Sequence, residues 1–274
     1  MCRWIAYSGQ PIGIDTLVIN PSHSLMRQSF DSKMHYKSDG TINVMNADGF
    51  GLGWFSDKPE PALYKIADPA WSNENIKEIC TNVKSHLFMA HIRDASTGAI
   101  QRSNAHPFKH DKWIFQHNGR IDNFITIKRE LQFDIEPDLF PLIRGTTDSE
   151  TIFFLLLTYG LDYDPIGAVR RMIERVERAC VNQKIPIVFT LSCAISNGKE
   201  LYTINYANGA KSNSQYYSSH QDCMNEQSSD TVIIPARSVV VVSEPLAQNN
   251  KHWIETPDGT FATILGGEVQ IQSL

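Results

Sequence analysis

Positive charge is sparse and scattered in this chain. No four lysines or arginines stand together, and 25 basic residues face 30 acidic ones, for a formal net charge of -5. Such a chain lacks the basic stripe of a nucleic-acid-binding surface, so no nucleic-acid partner is expected. Long apolar runs are missing as well. The longest covers residues 152–157, far below the roughly 20 residues of a spanning helix. The opening stretch MCRWIAYSGQPIG has no apolar core of signal-peptide length and no small-residue cleavage site. These absences give the expectation of a cytoplasmic chain with no membrane partner. Cysteine is scarce: Cys2, Cys80, Cys180, Cys193 and Cys223 form an odd set with no close pair. That is neither a disulfide framework nor a zinc site. His106 and His110 are four apart, but Pro107 breaks the helix that would put them on one face. No metal and no cofactor is expected.

What is present is core-forming material. A 42% hydrophobic share over 274 residues suffices for one large domain or two small ones. Four segments read as helix. Residues 73–83 space Ile76, Ile79 and Val83 on one face, and residues 123–131 give a weaker signal. Thr147 and Glu150 form a capping box ahead of 152–157, with Gly160 closing. Asp164 and Pro165 open a fourth helix with a stripe of Ile166, Val169, Ile173, Val176 and Cys180. Strand signals are more numerous, at 3–7, 62–66, 86–92, 112–116, 185–195, 200–206, 231–234, 239–243 and 260–265, with a hairpin turn at 196–199. The polar stretch 209–230 reads as a surface excursion with a short strand around Tyr216 and Tyr217. Strands and helices do not alternate regularly, which argues against a doubly wound parallel sheet. The run 239–242 is apolar without alternation and reads as a strand covered on both faces.

Four features carry chemistry. Cys2 is either a small hydrophobe near a strand start or, once Met1 is trimmed, a thiol whose own α-amine serves as base; the two groups have pKa values of about 8.5 and about 8. Arg93 stands where the strand-like run LFMAHI breaks into small polar residues and Gly98. It is either a surface arginine or a bidentate carboxylate grip. Asn118-Gly119 reads as a tight turn after an apolar strand. It is either an ordinary hairpin or a side-chain amide and backbone N–H aimed at one oxyanion. Asp148, in the first turn of the third helix, suits the helix dipole and equally an ammonium group.

Taken in order, an N-terminal Cys, H-x-R with small residues and Gly, H-N-G and D-S-E resemble the class II glutamine amidotransferase domain of the N-terminal-nucleophile (Ntn) hydrolases. The segments NPSHSLMRQS (20–29), NADGFGLGWF (46–55), SNAHPF (103–108) and VSEPL (242–246) are similar to the stand-alone subgroup of YafJ-like proteins and γ-glutamyl hydrolases. The resemblance implies an α+β fold, a four-layer αββα sandwich of two mostly antiparallel sheets, as a single domain over 2–274. It implies that Cys2 attacks the side-chain amide of glutamine or a γ-glutamyl compound and forms a γ-glutamyl thioester. Asn118 and Gly119 would form the oxyanion hole. Arg93 would bind the α-carboxylate and Asp148 the α-ammonium, with Ser96 and Thr147 beside them in the substrate-binding set. Where many members have an aromatic residue and a threonine after the arginine, this chain has Asp94 and Ser96. Ammonia would pass to a partner protein or simply be released. Two other classes remain open: a non-catalytic glutamyl-binding or regulatory subunit, and a papain-like Cys–His hydrolase using His91, His106 or His117.

Overall fold

Side-chain alternation along the strands decides the architecture. The computed structural model describes residues 2–34, 44–95, 98–218, 234–247 and 252–274. The strands are β1 (Arg3–Gly13), β2 (Phe50–Trp54), β3 (Ala62–Ile66), β4 (Lys84–Ile92), β5 (Phe108–His110), β6 (Trp113–Ile121), β7 (Phe189–Ser196), β8 (Leu201–Asn208), β9 (Tyr216–Ser218), β10 (Val239–Val242), β11 (Trp253–Glu255), β12 (Thr260–Leu265) and β13 (Glu268–Ser273). The α-helices are α1 (Asp15–Val18), α2 (Leu25–Gln28), α3 (Glu74–Asn82), α4 (Phe124–Gln132), α5 (Asp148–Thr158) and α6 (Pro165–Asn182). Among the described residues the strands form two antiparallel sheets, ordered β11-β9-β10-β1-β4-β2-β3 and β13-β12-β8-β7-β6-β5.

Every second residue points into the gap between the sheets. Trp4 and Ala6 of β1, Leu87 and Met89 of β4, and Val239 and Val241 of β10 meet Ile114, Ala194, Leu201 and Ile264 of the facing sheet. Their odd-even partners Ile5, Tyr7, Phe88, Ala90, Val240 and Val242 turn outward and bury Leu17, Val18, Leu25, Ile76 and Cys80 of α1–α3. On the other sheet Phe115, Leu191, Cys193 and Ile195 turn outward against Ile127, Leu131, Phe153, Val169 and Val176 of α4–α6. The result is helices, sheet, sheet, helices, the expected αββα order. Val239–Val242 lacks alternation because both its faces are covered.

The helix caps follow the sequence closely. Asn73 accepts from the Asn75 amide, Thr147 from Glu150 and Asp164 from Gly167. The Glu150 carboxylate, however, accepts from the Arg144 and Gly145 amides rather than closing the box on Thr147. Residues 148–156 of α5 are all buried, because this helix lies between α4, α6 and β6.

Three readings need correction. Asn118-Gly119 is not a turn: both lie inside β6, opposite Ser192 and Leu191 of β7. Glycine is required there for close approach, since a Cβ would overlap the Thr190 carbonyl and the His117 ring. The strand expected from residue 185 begins at Phe189. Strand β2 was hidden by Gly51 and Gly53, which weaken a strand signal but permit backbone approach. Most of the 231–234 strand lies outside the described residues.

A Cβ at Gly51 would overlap the backbone carbonyl of His106, whose segment lies against the inner face of β2. Gly51→Ala is therefore expected to destabilise the fold by about 1–3 kcal/mol through overpacking. Urea unfolding checks this, and an unchanged midpoint would remove the close-approach account of β2.

Candidate active site

The β1–β4 pairing puts Arg3 opposite Ile92 and Trp4 opposite His91. Extending that register by one residue sets Cys2 beside Arg93. The period of two then turns both side chains inward: Cys2 follows Trp4 and Ala6, and Arg93 follows Leu87, Met89 and His91. On the facing sheet the same parity turns Gln116 and Asn118 inward after Ile114. The gap is bridged at this level by direct bonds. Gln116 Nε2 donates to the Ile5 carbonyl at 2.9 Å, and His91 Nε2 donates to the His117 carbonyl at 3.2 Å. Cys2, Arg93 and Asn118 therefore share one end of one crevice.

The Cys2 sulfur lies 3.4 Å from the Asp94 amide, which donates to it, and 3.6 Å from the Asp94 carbonyl. Burial pushes the thiol pKa up, and the Asp94 carboxylate pushes the same way, against the pull of the Asp94 amide and the Arg93 charge. Arg93 is buried at the strand end, and its guanidinium donates to the carbonyls of Ala99 at 3.0 Å and Gly98 at 3.5 Å. Asp48 fixes the same bend: its amide donates to the Arg93 carbonyl at 3.0 Å and its carboxylate accepts the Ala95 amide at 2.7 Å.

Asn118 and Gly119 acquire a different geometric meaning from the corrected strand. The Asp122 amide donates to the Val188 carbonyl, one residue before β7, and so continues the β6–β7 ladder. Ladder parity makes the odd residues 117, 119 and 121 point their N–H groups away from β7. On that side β5 pairs only as far as Phe115. The Gly119 N–H thus faces an edge that β5 leaves uncovered. The next equivalent donor, Ile121 N–H, is taken by Asp148 Oδ2 at 2.8 Å. Asp148 Oδ1 accepts the Ser149 amide at 2.8 Å. A carboxylate offers about four acceptor positions, so a donor from a ligand still fits.

Asn104 links the arginine and aspartate sides. Its Nδ2 donates to the Ala99 carbonyl at 2.9 Å and to Thr146 Oγ1 at 3.1 Å, while its Oδ1 accepts the Thr146 amide at 2.8 Å. Thr147, next in line, is buried as the α5 cap. Ser96 lies outside the described residues. Asp48, Asn104 and Asn213, whose Nδ2 donates to the Asn118 carbonyl at 2.9 Å, escaped the sequence reading. The first two sit within the segments 46–55 and 103–108 quoted above, so that was the available signal.

The histidines are otherwise engaged. His117 donates from Nε2 to the Thr190 carbonyl and accepts from Ser149 at Nδ1, on the outer face under α5. Burial pushes His91 down to about 3, and His106, stacked on it at 4.3 Å, is lowered by the same cause. His91 and His117 reach main-chain carbonyls and His106 stacks on His91, while the Cys2 sulfur is bonded to Asp94 rather than to any of them, unlike the Cys–His pair of a papain-like site. Among the described residues no group of three His, Cys, Asp or Glu side chains could hold a metal ion, and no helix is long and apolar enough to cross a membrane.

The glutamine amidotransferases class-II family matches residues 20–273. A probable glutamine amidotransferase, DUG3 of Saccharomyces cerevisiae, is 39% identical over 173 residues, 60% of this chain and 48% of the yeast protein. The match thus spans about half of that relative's length. The γ-glutamyl-hercynylcysteine sulfoxide hydrolase of Mycobacterium tuberculosis (strain CDC 1551 / Oshkosh) is 25% identical over all of this chain and 97% of its own. Among solved structures, a glutamine aminotransferase class-II domain protein from Silicibacter pomeroyi superposes with a TM-score of 0.71 at 29% identity, covering 99% of both chains. The glutamine PRPP amidotransferase of Bacillus subtilis shares the fold at a TM-score of 0.62 and 13% identity, over 99% of this chain and 49% of that one. The chain belongs to the class II glutamine amidotransferases and has the αββα sandwich of the Ntn hydrolases.

Proposed function

We propose that this enzyme cleaves the γ-amide of glutamine or of a γ-glutamyl compound, with Cys2 as an N-terminal nucleophile. The observation that carries the reading is the strand register: extended by one residue it brings Cys2 alongside Arg93 on one sheet, and parity turns the Asn118 side chain of the facing sheet into the same gap. With Met1 removed, the Cys2 α-amine, pKa about 8, belongs to the same residue as the thiol and can accept its proton. The thiolate attacks the γ-carbonyl, and the new oxyanion is met by the Asn118 side-chain amide and the uncovered Gly119 N–H. The C–N bond breaks, the amine returns its proton to the leaving nitrogen, and water hydrolyses the γ-glutamyl thioester. Arg93 takes the α-carboxylate and Asp148 the α-ammonium, with Thr147 and Ser96 alongside. The full-length match to a γ-glutamyl hydrolase supports hydrolysis as the outcome.

Cys2→Ala is expected to abolish glutamate release from a panel of glutamine, glutathione and γ-glutamyl amides; turnover in that variant would sink the nucleophile assignment. Asn118→Ala should lower kcat by roughly 10²–10³ with little change in KM, as for loss of one oxyanion donor. The wild type should prefer glutamine over its decarboxylated analogue 4-aminobutanamide by at least about 30-fold in kcat/KM, from a buried charge worth roughly 2–5 kcal/mol. Arg93→Met should erase that preference. Equal discrimination in the variant would show that another group reads the carboxylate.

A further inference from the structure

Residues 2–4 are held by contacts that strand pairing alone does not supply. β1 pairs with β10 from Ile5 opposite Val242. Ser243 prolongs the contact: its amide donates to the Trp4 carbonyl at 3.1 Å and its hydroxyl accepts the Trp4 amide at 2.9 Å. The chain then turns at Glu244 and Pro245, and a proline cannot extend the ladder as a donor. The Arg3 guanidinium stands in for the departed strand. Its Nη1 donates to the Cys2 carbonyl at 2.9 Å, and its Nε reaches Ser32 Oγ at 3.0 Å and Glu244 Oε2.

Glu244 is in turn fixed from several sides. His23 Nε2 meets Oε1 at 2.6 Å, the Lys33 amide donates to Oε1 at 2.8 Å, and Ser32 Oγ and the Met34 amide donate to Oε2 at 2.9 and 3.2 Å. Both partners are sealed: the side-chain exposures of Arg3 and Glu244 are 0% and 2%. Burial alone would raise the Glu244 pKa, but His23, Arg3 and the Lys33 amide outweigh it and hold the carboxyl at about 2.

A buried ion pair of this kind is a poor way to gain stability, because desolvation costs several kcal/mol per ion and an apolar pair often does as well. It fixes direction well, because a planar guanidinium orients several bonds at once. Arg3 Nη2 is even left buried without a hydrogen-bond partner among the described residues, so this placement does not maximise pairing. What the placement does achieve is a grip on the carbonyl of the nucleophile. An α-amine that must take up and return a proton cannot also be locked as a strand amide. The residue carrying it has to be held through its other atoms, and here those are the sulfur, on the Asp94 amide, and the carbonyl oxygen, on Arg3.

We propose that Arg3, oriented by Glu244 and Ser32, is a positioning residue for Cys2: it fixes the nucleophile by its carbonyl and leaves the α-amine available for proton transfer. The inference rests on the reading of Cys2 as an N-terminal nucleophile. It extends that reading to the buried residues His23, Ser32 and Glu244, which bear on Cys2 through Arg3.

The test compares wild type, Cys2→Ala, Arg3→Lys and Glu244→Gln. Each is measured for kcat and KM on a γ-glutamyl amide, for the second-order rate of Cys2 alkylation by iodoacetamide, and for thermal midpoint. Arg3→Lys keeps a cation opposite Glu244 but cannot also bridge to Ser32 and the Cys2 carbonyl. It should lose about 10–100-fold in kcat with KM nearly unchanged, the scale of a small misplacement, together with a matching fall in alkylation rate. Glu244→Gln should show the same pattern more weakly. A folded Arg3→Lys enzyme with wild-type kcat and alkylation rate overturns the inference, and so does a lowered thermal midpoint with both rates unchanged. Where Arg3→Lys does not fold, Glu244→Gln and Ser32→Ala are read by the same criteria. Turnover in Cys2→Ala is a separate result: it would remove the nucleophile reading itself, whatever Arg3 does.

Discussion

The register between β1 and β4 is the constraint on which the site depends. Side chains alternate with a period of two, so a slip of one residue would turn Cys2 out of the crevice together with Trp4 and Ala6. Such a slip would also drive Ile5 and Tyr7, now packed against the α1–α3 layer, into the gap between the sheets. The register is therefore set by two apolar cores at once, and Cys2 inherits its direction from them. Nothing at residue 2 itself has to be strong. Its position is the last step of an alternation that begins deep in the strand.

Between the sheets the contents change from apolar to polar toward the site. Trp4, Ala6, Met89 and Ile114 fill the dry part, whereas Gln116, His91 and Asn118 line the other end. Buried polar groups are costly unless bonded, and once bonded they specify one arrangement. The Gln116 and His91 bonds cross from sheet to sheet onto main-chain carbonyls, so they fix the separation of the two sheets at this level. The same burial disarms the histidines as bases. With His91 pushed down to about 3, an imidazole beside the crevice remains neutral and unable to hold a proton from the thiol.

Much of this was legible in the sequence, for reasons that differ by element. Helices α3, α5 and α6 were visible because caps and apolar spacing are local: Asn73, Thr147 and Asp164 cap as expected. Strand β10 was visible because a doubly covered strand is a plain apolar run. Strand β2 was not, because Gly51 and Gly53 are there for the His106–Pro107 segment packed on them, a contact between residues over 50 apart in the chain. The Asn118-Gly119 pair was misread for the same reason. Locally it has the composition of a hairpin turn, and only the long-range pairing with β7 shows that the glycine makes room for the His117–Thr190 bond. Arg93, Asp148 and Asn118 could be named from motif order, but their convergence is a property of register and layer packing. Asn104 and Asp48 act on the site through main-chain atoms of other loops, a role with no residue-type signature.

The overall charge of the chain has little to do with what this crevice selects. The α-carbon end of a glutamyl group carries one carboxylate and one ammonium and is neutral as a unit, so the field of a chain at -5 neither steers nor repels it strongly. On the proposed reading, selection comes from two local partners at the correct separation. Arg93 and Asp148 arise from different elements, one at the end of β4 and one at the start of α5, and neither sheet nor helix packing alone sets their spacing. Asn104 does so by joining the Ala99 carbonyl, which holds the Arg93 guanidinium, to Thr146 two residues before Asp148. A neutral amide side chain, not a charge, thus ties the Arg93 end of β4 to the start of α5 that carries Asp148.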